Sequence, residues 1–500
     1  MKKLPIENSH LEYKQASSSV PKDCWETVSA FANTDGGVII LGITETKKNS
    51  EFIVSGVKNG NQLKIDFLNL QNDNTFISRP VVSDKDIEIA QLEGKEIVKI
   101  HVPKAYYKDR PIYLKGNIKK TFIRDHESDR TANSERLRYF IRESDAVTDS
   151  EALPNFDMDD IDIASLQSYQ VLLSQINDDS SLLTNNFEQF LNSIGLLKRD
   201  RTSSNKSWNL TKAALLLFGK NTSIKEIFPY FFLDFVIKHN SSDTDYLDRI
   251  YTSTESGHPQ NIYSFFDQTF QKIRSQINNT FELNGIQRKD SGDSLLIAIR
   301  EGLVNTLVHS DYAFESQIKI SLFNDYIEFY NPGEMRISYE RFVLGGTSEA
   351  RNPNIFSVFL RAKLGEHTGS GGHRIYQTAD KLKLRTPEIK SNADSTQLII
   401  WTIPLMESVI KTIPNEWKDT YIRLSTKLVA SYSDVKDLYK SSYEGHKILN
   451  AMVDAKLLTK QGKNKGTVYL LAQDAPAIRQ SLNKYIRQFQ TEFLNQTKRH

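Results

Sequence analysis

Glu7-Asn-Ser-His-Leu-Glu12-Tyr-Lys14, followed by Phe31-Ala-Asn-Thr-Asp-Gly-Gly37 and Gly42-Ile-Thr-Glu45, gathers three carboxylates and a lysine near one end of a 500-residue chain. From His10 to Lys14 polar and apolar residues alternate, so an extended strand puts Glu12 and Lys14 on one face and Leu11 and Tyr13 on the other. Glu7 stands five residues before Glu12, a spacing that shares neither a helical nor a strand face, so the two converge only if the chain bends between them. Pro21 opens an amphipathic helix with Trp25, Val28, Phe31 and Ala32 apolar, and Asn33-Thr-Asp-Gly-Gly37 stops it. The run Val38-Ile-Ile-Leu-Gly-Ile43 predicts one buried strand that delivers Thr44 and Glu45 to its exit.

The pattern E-x4-E-x-K, then F-A-N-T-x-G-G, then a strand ending in G-[IV]-x-[DE], resembles the Schlafen AlbA domain over about residues 1 to 140. Within that family it is similar to the version whose three carboxylates serve as an RNase site. The resemblance implies that Glu7, Glu12 and Glu45 bind a divalent cation, Mg²⁺ or Mn²⁺, with Lys14 close to the scissile phosphate. Position 45 departs from the family pattern, which commonly has Asp there. Mg²⁺ demands near-octahedral oxygens at about 2.1 Å and tolerates the extra methylene less well than Mn²⁺ does. Phosphodiester cleavage suits such residues because carboxylates hold the metal that neutralises the transferring phosphate. The plain alternative for the same residues is three solvated surface acids.

The length suits about three domains, each able to bury its own core. With 64 Lys and Arg against 62 Asp and Glu, net charge alone does not announce a nucleic-acid binder. Distribution says more: Lys104 to Arg142 holds eleven basic and five acidic residues, interleaved with Tyr106, Tyr107, Tyr113, Phe122 and Tyr139. That mixture suits a groove that tracks phosphates and stacks an unpaired base, and equally a solvated face over a tyrosine-rich core. The single Cys24 excludes a disulfide framework and a cysteine-based zinc site, a cytoplasmic pattern. No apolar leader and no run approaching 18 apolar residues point to secretion or membrane spanning.

An acidic stretch from Glu143 to Asp162 reads as a linker. Helices are expected over Ile161 to Ile176, Asn186 to Leu197 and Leu210 to Gly219, then a strand over Tyr230 to Ile237. Glu301, Asn305 and His309 recur every four residues, so one helical face carries an acid, an amide and an imidazole while Leu303, Val304, Leu307 and Val308 bury the other. This helix resembles the N-box of GHKL-type ATPases, which implies Glu301 as general base toward water and Asn305 as the Mg²⁺ holder. A hairpin at Asn324-Asp325 leads to Asn331-Pro-Gly333-Glu, followed by Arg351-Asn352-Pro353 and Gly369-Ser-Gly371-Gly372. Together, over about residues 150 to 405, these resemble the divergent GHKL-like, RecG-like region that often follows a Schlafen AlbA domain. The resemblance implies that Asn331 faces the base of a bound ATP where related proteins carry Asp, with Gly333 in the same cofactor-binding set, and Gly369, Gly371 and Gly372 let backbone amides approach phosphates.

Ser433 to Leu438, Gly445 to Ala455 and a basic hairpin from Lys460 to Tyr469 give the helix, helix, wing order of a winged helix. From Glu407 onward sixteen basic residues face nine acidic ones, enough for phosphate contacts.

The expected fold class is therefore α/β (α+β) and multidomain. A Schlafen AlbA domain over residues 1–142 and an acidic linker over 143–162 precede a helical segment with a GHKL-like α/β sandwich over 163–405 and a winged helix over 406–500. The leading expectation is a metal-dependent endoribonuclease acting on structured RNA such as tRNA, with a nucleotide-sensing or dimerisation region, in stress response or antiviral defence. The alternative is a non-catalytic DNA-binding transcriptional regulator with ATP as effector. A helicase motor is disfavoured because no G-x-x-x-x-G-K-[ST] loop is present. One copy of the AlbA motif, where Schlafen proteins build an RNA cradle from two lobes, implies a homodimer.

Overall fold

The computed structural model describes residues 4–46, 51–144, 149–201, 208–283, 289–346, 348–365, 369–425, 427, 429–462 and 467–472. The chain divides into two units, Met1–Thr148 and Asp149–His500.

The first unit is built on a four-stranded sheet in the order Leu11–Lys14, Gly37–Leu41, Lys95–Val102, Ile87–Leu92. The Leu11–Lys14 strand is an edge strand, parallel to its neighbour, with Glu12 opposite Ile39 and Lys14 opposite Leu41. The Cys24–Asn33 helix is buried almost throughout, so its polar end needs internal partners. Asn33 supplies them, donating to the carbonyls of Ile112 (2.7 Å) and Phe122 (3.0 Å) and accepting from the Ile112 amide (2.8 Å). Trp25 of this helix stacks on Phe67 of the Gly60–Gln71 helix at 4.7 Å.

The expected single strand from Val38 to Ile43 is two strands. Gly42 adopts φ +97°, a left-handed conformation that glycine reaches without steric cost. Its carbonyl accepts from the amides of Ser55 (2.9 Å) and Gly56 (2.8 Å), turning Ile43–Thr46 into a separate hairpin with Glu51–Val54. Glu45 thus lies on that hairpin and not at the exit of the central strand.

The second unit contains a six-stranded sheet in the order Asp248–Tyr251, Leu233–Ile237, Ile318–Leu322, Tyr326–Pro332, Ser395–Trp401, Glu388–Ser391. Leu233–Ile237 and Ile318–Leu322 run parallel, and the other pairs are antiparallel. The Ile262–Leu283 and Lys289–His309 helices pack on the sheet, and Gly371–Leu382 lies against Lys289–His309. One apolar core runs from Leu153 to Ile400. The hairpin around Asn324-Asp325 forms as expected.

The acidic stretch 143–162 is not a free linker. Asp149 is 1 % exposed and accepts from the Ile355 amide at 2.9 Å, while Ala152–Leu153 pairs with Trp208–Thr211. Leu153 and Ile161 are buried, while Glu151, Asp157 and Asp159 beside them stay exposed. One helix start and one helix end also shift: Trp208–Thr211 is a strand and the helix begins at Lys212, where Thr211 caps it by accepting from the Ala214 amide at 3.2 Å. Ile194 ends the next-earlier helix before Leu197, which opens a strand.

Residues Asn415–Ser425, Ala430–Ser431, Ser442–Asp454, Leu458–Gln461 and Val468–Leu471 follow the winged-helix order around their own apolar core. The expected helix from Ser433 to Leu438 is a pair of short 3-10 turns. The wing tip, residues 463–466, lies outside the described residues.

Candidate functional site

Two constellations assemble, one in each unit. In the first, the edge strand carries Glu12 and Lys14 on one face, as the alternation requires, with Lys14 Nζ 2.8 Å from Glu12 Oε1 and 3.2 Å from Asp23 Oδ2. Arg124, from the Phe122–Asp125 strand, reaches the other Glu12 oxygen at 2.8 Å and Asp129 at 2.8 Å, donates to the Asn8 carbonyl at 2.9 Å, and lies 5.1 Å over the Phe31 ring. The chain bends at Asn8 to Leu11, which brings Glu7 back to accept from the Tyr13 amide at 2.7 Å. Burial pushes the Glu7 carboxyl above its usual range, against the pull of that amide. Burial pulls Lys14 down, but the hydrogen bond and charge of Glu12, with Asp23 behind them, outweigh it and leave the amine raised.

This donor set does not fit a divalent cation. Each Glu12 oxygen is held by a cationic side chain, Glu7 is turned onto a backbone amide, and Glu45 is exposed on its own hairpin. Among the described residues no three His, Cys, Asp or Glu side chains are grouped to hold a metal ion. Arg124 and Asp129 were not singled out in the sequence. The only signal there was a basic residue within the aromatic stretch, 112 positions from the carboxylate it meets.

In the second unit the expected residues other than Gly333 converge on one cavity. Glu301, Asn305 and His309 line it from the Lys289–His309 helix, whose Leu303, Val304, Leu307 and Val308 are buried on the far side. Asn331 joins from its strand, buried, with its amide donating to the Pro332 carbonyl at 3.0 Å. Gly369, Gly371 and Gly372 close it at the start of the Gly371–Leu382 helix. A Cβ on Gly371 would stand 2.8 Å from Glu301 Oε2 and 3.3 Å from the Asn305 amide nitrogen. The glycine therefore keeps open a cradle between a helix start, a buried carboxylate and an amide, the donor types that a phosphate with its cation needs. Asn305 and Glu301 fit a Mg²⁺-nucleotide.

Gly333 has a different role from the one expected. It does not line the cavity, and a Cβ there would stand 1.9 Å from Arg351 Nη1. The space is needed by Arg351, which donates to the His309 and Glu334 carbonyls and ties the helix end to the Asn331–Glu334 turn. Asn352 completes that clamp, donating to Val308 O at 2.9 Å and Ser310 O at 2.8 Å. Burial, then the charges of Arg351 and Arg336, hold His309 down to about 3, so the imidazole is neutral near pH 7. Glu334, Arg336 and Thr396 also line the cavity. Of these only Glu334 stood beside a sequence motif.

Residues 7–133 match the family described as "Schlafen, AlbA_2", and residues 315–400 match "Putative ATP-dependent DNA helicase recG C-terminal". Residues 138–234 match "Domain of unknown function (DUF8451)". No curated protein matches the chain. Among solved structures, the DIP2311 protein from Corynebacterium diphtheriae is 17 % identical, over 93 % of this chain and 92 % of that one, with a TM-score of 0.39. The N-terminal domain of a RecG-related protein from Nitrosomonas europaea is 24 % identical, over 25 % of this chain and 79 % of that one, with a TM-score of 0.19. Residues 7–133 are thus similar to a Schlafen AlbA-type domain, and residues 315–400, later in the sequence, to a HATPase-like one.

Proposed function

From a Schlafen AlbA-type domain followed by a HATPase-like one, we propose a nucleic-acid-binding protein whose second unit takes an adenine nucleotide as effector. The two domain types support the nucleic-acid part. The observation that carries the nucleotide part is the meeting of Glu301, Asn305, Asn331, Gly371 and Gly372 in one cavity from three separate segments. Asn305 would hold the Mg²⁺, whose positive charge offsets that of the phosphates. The Gly371 and Gly372 backbone approaches those phosphates, and the Asn331 carbonyl oxygen accepts from the adenine amino group. Glu301, on the same helical face as Asn305, is positioned to orient water.

Titration with a fluorescent ATP analogue and Mg²⁺ tests this. Saturable binding that Asn305→Ala weakens about tenfold, roughly 1.4 kcal/mol, supports it. A flat titration of the intact protein overturns it.

A second reading, endoribonuclease action in the first unit, is favoured by Glu7, Glu12 and Lys14 gathering around Tyr13 on an edge strand. Structured RNA such as tRNA, incubated with Mn²⁺ or with EDTA, decides it. Cleavage lost in Glu12→Ala supports the reading, and intact RNA under both conditions removes it. Metal dependence would show as cleavage confined to the Mn²⁺ arm. A homodimer completing an RNA cradle would show as a dimer mass in sedimentation.

A further inference from the structure

The first unit holds a second concavity, with about 950 Å³ of open space between residues 74–81 and residues 103–109. Tyr106 stands in it with 43 % of its surface exposed. Its ring rests on that of Tyr107, 4.6 Å away, and Tyr107 is itself buried. A half-exposed ring braced by a buried one offers a stacking face that loses little freedom when a flat ligand lands on it.

Two cations flank that face. Arg79 pairs with Asp109 at 2.5 Å across the concavity, with both side chains well exposed, and Lys104 pairs with Asp35 at 2.9 Å. Exposed pairs of this kind contribute little to stability, so each cation can exchange its carboxylate for a phosphate at small cost.

Hydrogen bonds link the Lys104 side of the concavity to the strand that bears the carboxylate cluster. Asp35, held by Lys104, precedes Gly36, whose carbonyl lies 3.0 Å from His10 Nδ1. His10 opens the strand that bears Glu12 and Lys14, and its carbonyl accepts from Val38 at 2.8 Å.

We propose that this concavity is a base-binding subsite for single-stranded nucleic acid, with one unpaired base stacked on Tyr106 and the flanking phosphates on Arg79 and Lys104. The proposal rests on the reading that the first unit binds nucleic acid, and it deepens that reading by naming the strand state and the contact residues. Stacking on an aromatic face is tolerant of base identity, so a homopolymer is a suitable probe.

The test is fluorescence anisotropy of the full chain with labelled oligouridine, oligodeoxythymidine and a duplex of equal length. Expected are tighter binding of the single strands than of the duplex, a loss of about tenfold or more in Tyr106→Ala, and recovery in Tyr106→Phe. Arg79→Ala should also lower the slope of log affinity against log salt by about one. The RNA and DNA arms show which sugar is preferred, and either preference supports the subsite. Unchanged affinity in a folded Tyr106→Ala variant, or preference for the duplex, overturns the subsite while leaving nucleic-acid binding in place. Failure of the wild-type protein to bind any of the three probes overturns both.

Discussion

The guanidinium of Arg124 lies 2.8 Å from the carboxylate of Glu12, with 2 % and 12 % of the two side chains exposed. A second carboxylate, Asp129, holds the same guanidinium at 2.8 Å and accepts from Thr27 at 2.6 Å. The arrangement places a fixed cation where the family pattern leads one to look for a metal ion, and it makes Glu12 a structural partner as much as a chemical one.

Removing that cation leaves two nearly buried carboxylates facing each other across the gap. Arg124→Ala should therefore destabilise the first unit by about 3 kcal/mol, a fall in melting temperature of roughly 6 to 12 °C for a unit of this size. Arg124→Lys should recover only part, because an ammonium cannot reach Glu12, Asp129 and the Asn8 carbonyl at once. Thermal unfolding followed by circular dichroism reads both. A change within 2 °C for the alanine variant would show that the network adds nothing.

Gly371 and Gly372 are adjacent in sequence yet should fail differently. A Cβ on Gly372 meets the backbone carbonyl of Phe342 at 2.3 Å, whereas one on Gly371 meets the end of the Glu301 side chain at 2.8 Å. The backbone cannot yield cheaply, so Gly372→Ala should cost about 1–3 kcal/mol of stability. A carboxylate can swing aside, so Gly371→Ala should keep its melting temperature and lose nucleotide affinity. Equal loss of stability in the two variants would contradict this division.

The sequence made the cavity residues legible because a four-residue repeat on one helix fixes a face, and Glu301, Asn305 and His309 all point into the same space. Gly333 was misread because a glycine in a turn gives no sign of whether a ligand or an arginine needs the room. The carboxylate cluster was legible only in part. Alternation put Glu12 beside Lys14, but the strand break at Gly42 depended on hydrogen bonds from Ser55 and Gly56, which lie in another segment. Arg124 was hidden for the same reason, since no local period links it to Glu12. The acidic stretch reads as a linker by composition, which carries no trace of the long-range pairing with Ile355 and Trp208–Thr211.

Asp149 carries a pH signature. Burial raises its carboxyl to about 6, against hydrogen bonds from the amides of Ile355, Asn354 and Asp149 itself. The folded state then binds a proton that the unfolded chain has lost above about 4, so this contribution is complete at low pH and disappears as pH rises through about 6. The ionised carboxylate costs the fold roughly 3 kcal/mol at neutral pH. Asp149→Asn removes the ionisation, so its melting temperature should exceed that of the wild type at pH 7.5 and converge with it at pH 4.5. Parallel curves for the two proteins across that range would refute the assignment.

His309 works in the opposite direction. Its folded value near 3 lies below the usual 6.5, so the unfolded chain takes up a proton that the folded one refuses. Stability from this residue is complete above about 6.5 and is lost progressively as pH falls toward 3. Between about pH 4 and 6.5 the two residues therefore oppose each other, and the wild-type melting temperature should vary less than that of either single variant. In Asp149→Asn the His309 contribution stands alone, so the protein should lose stability steadily below pH 6.5. In His309→Asn the Asp149 contribution stands alone, and stability should fall as pH rises instead. Melting curves of the three proteins at pH 4.5, 5.5, 6.5 and 7.5 read the two slopes directly. Slopes of the same sign in the two variants would mean that another group governs the pH response.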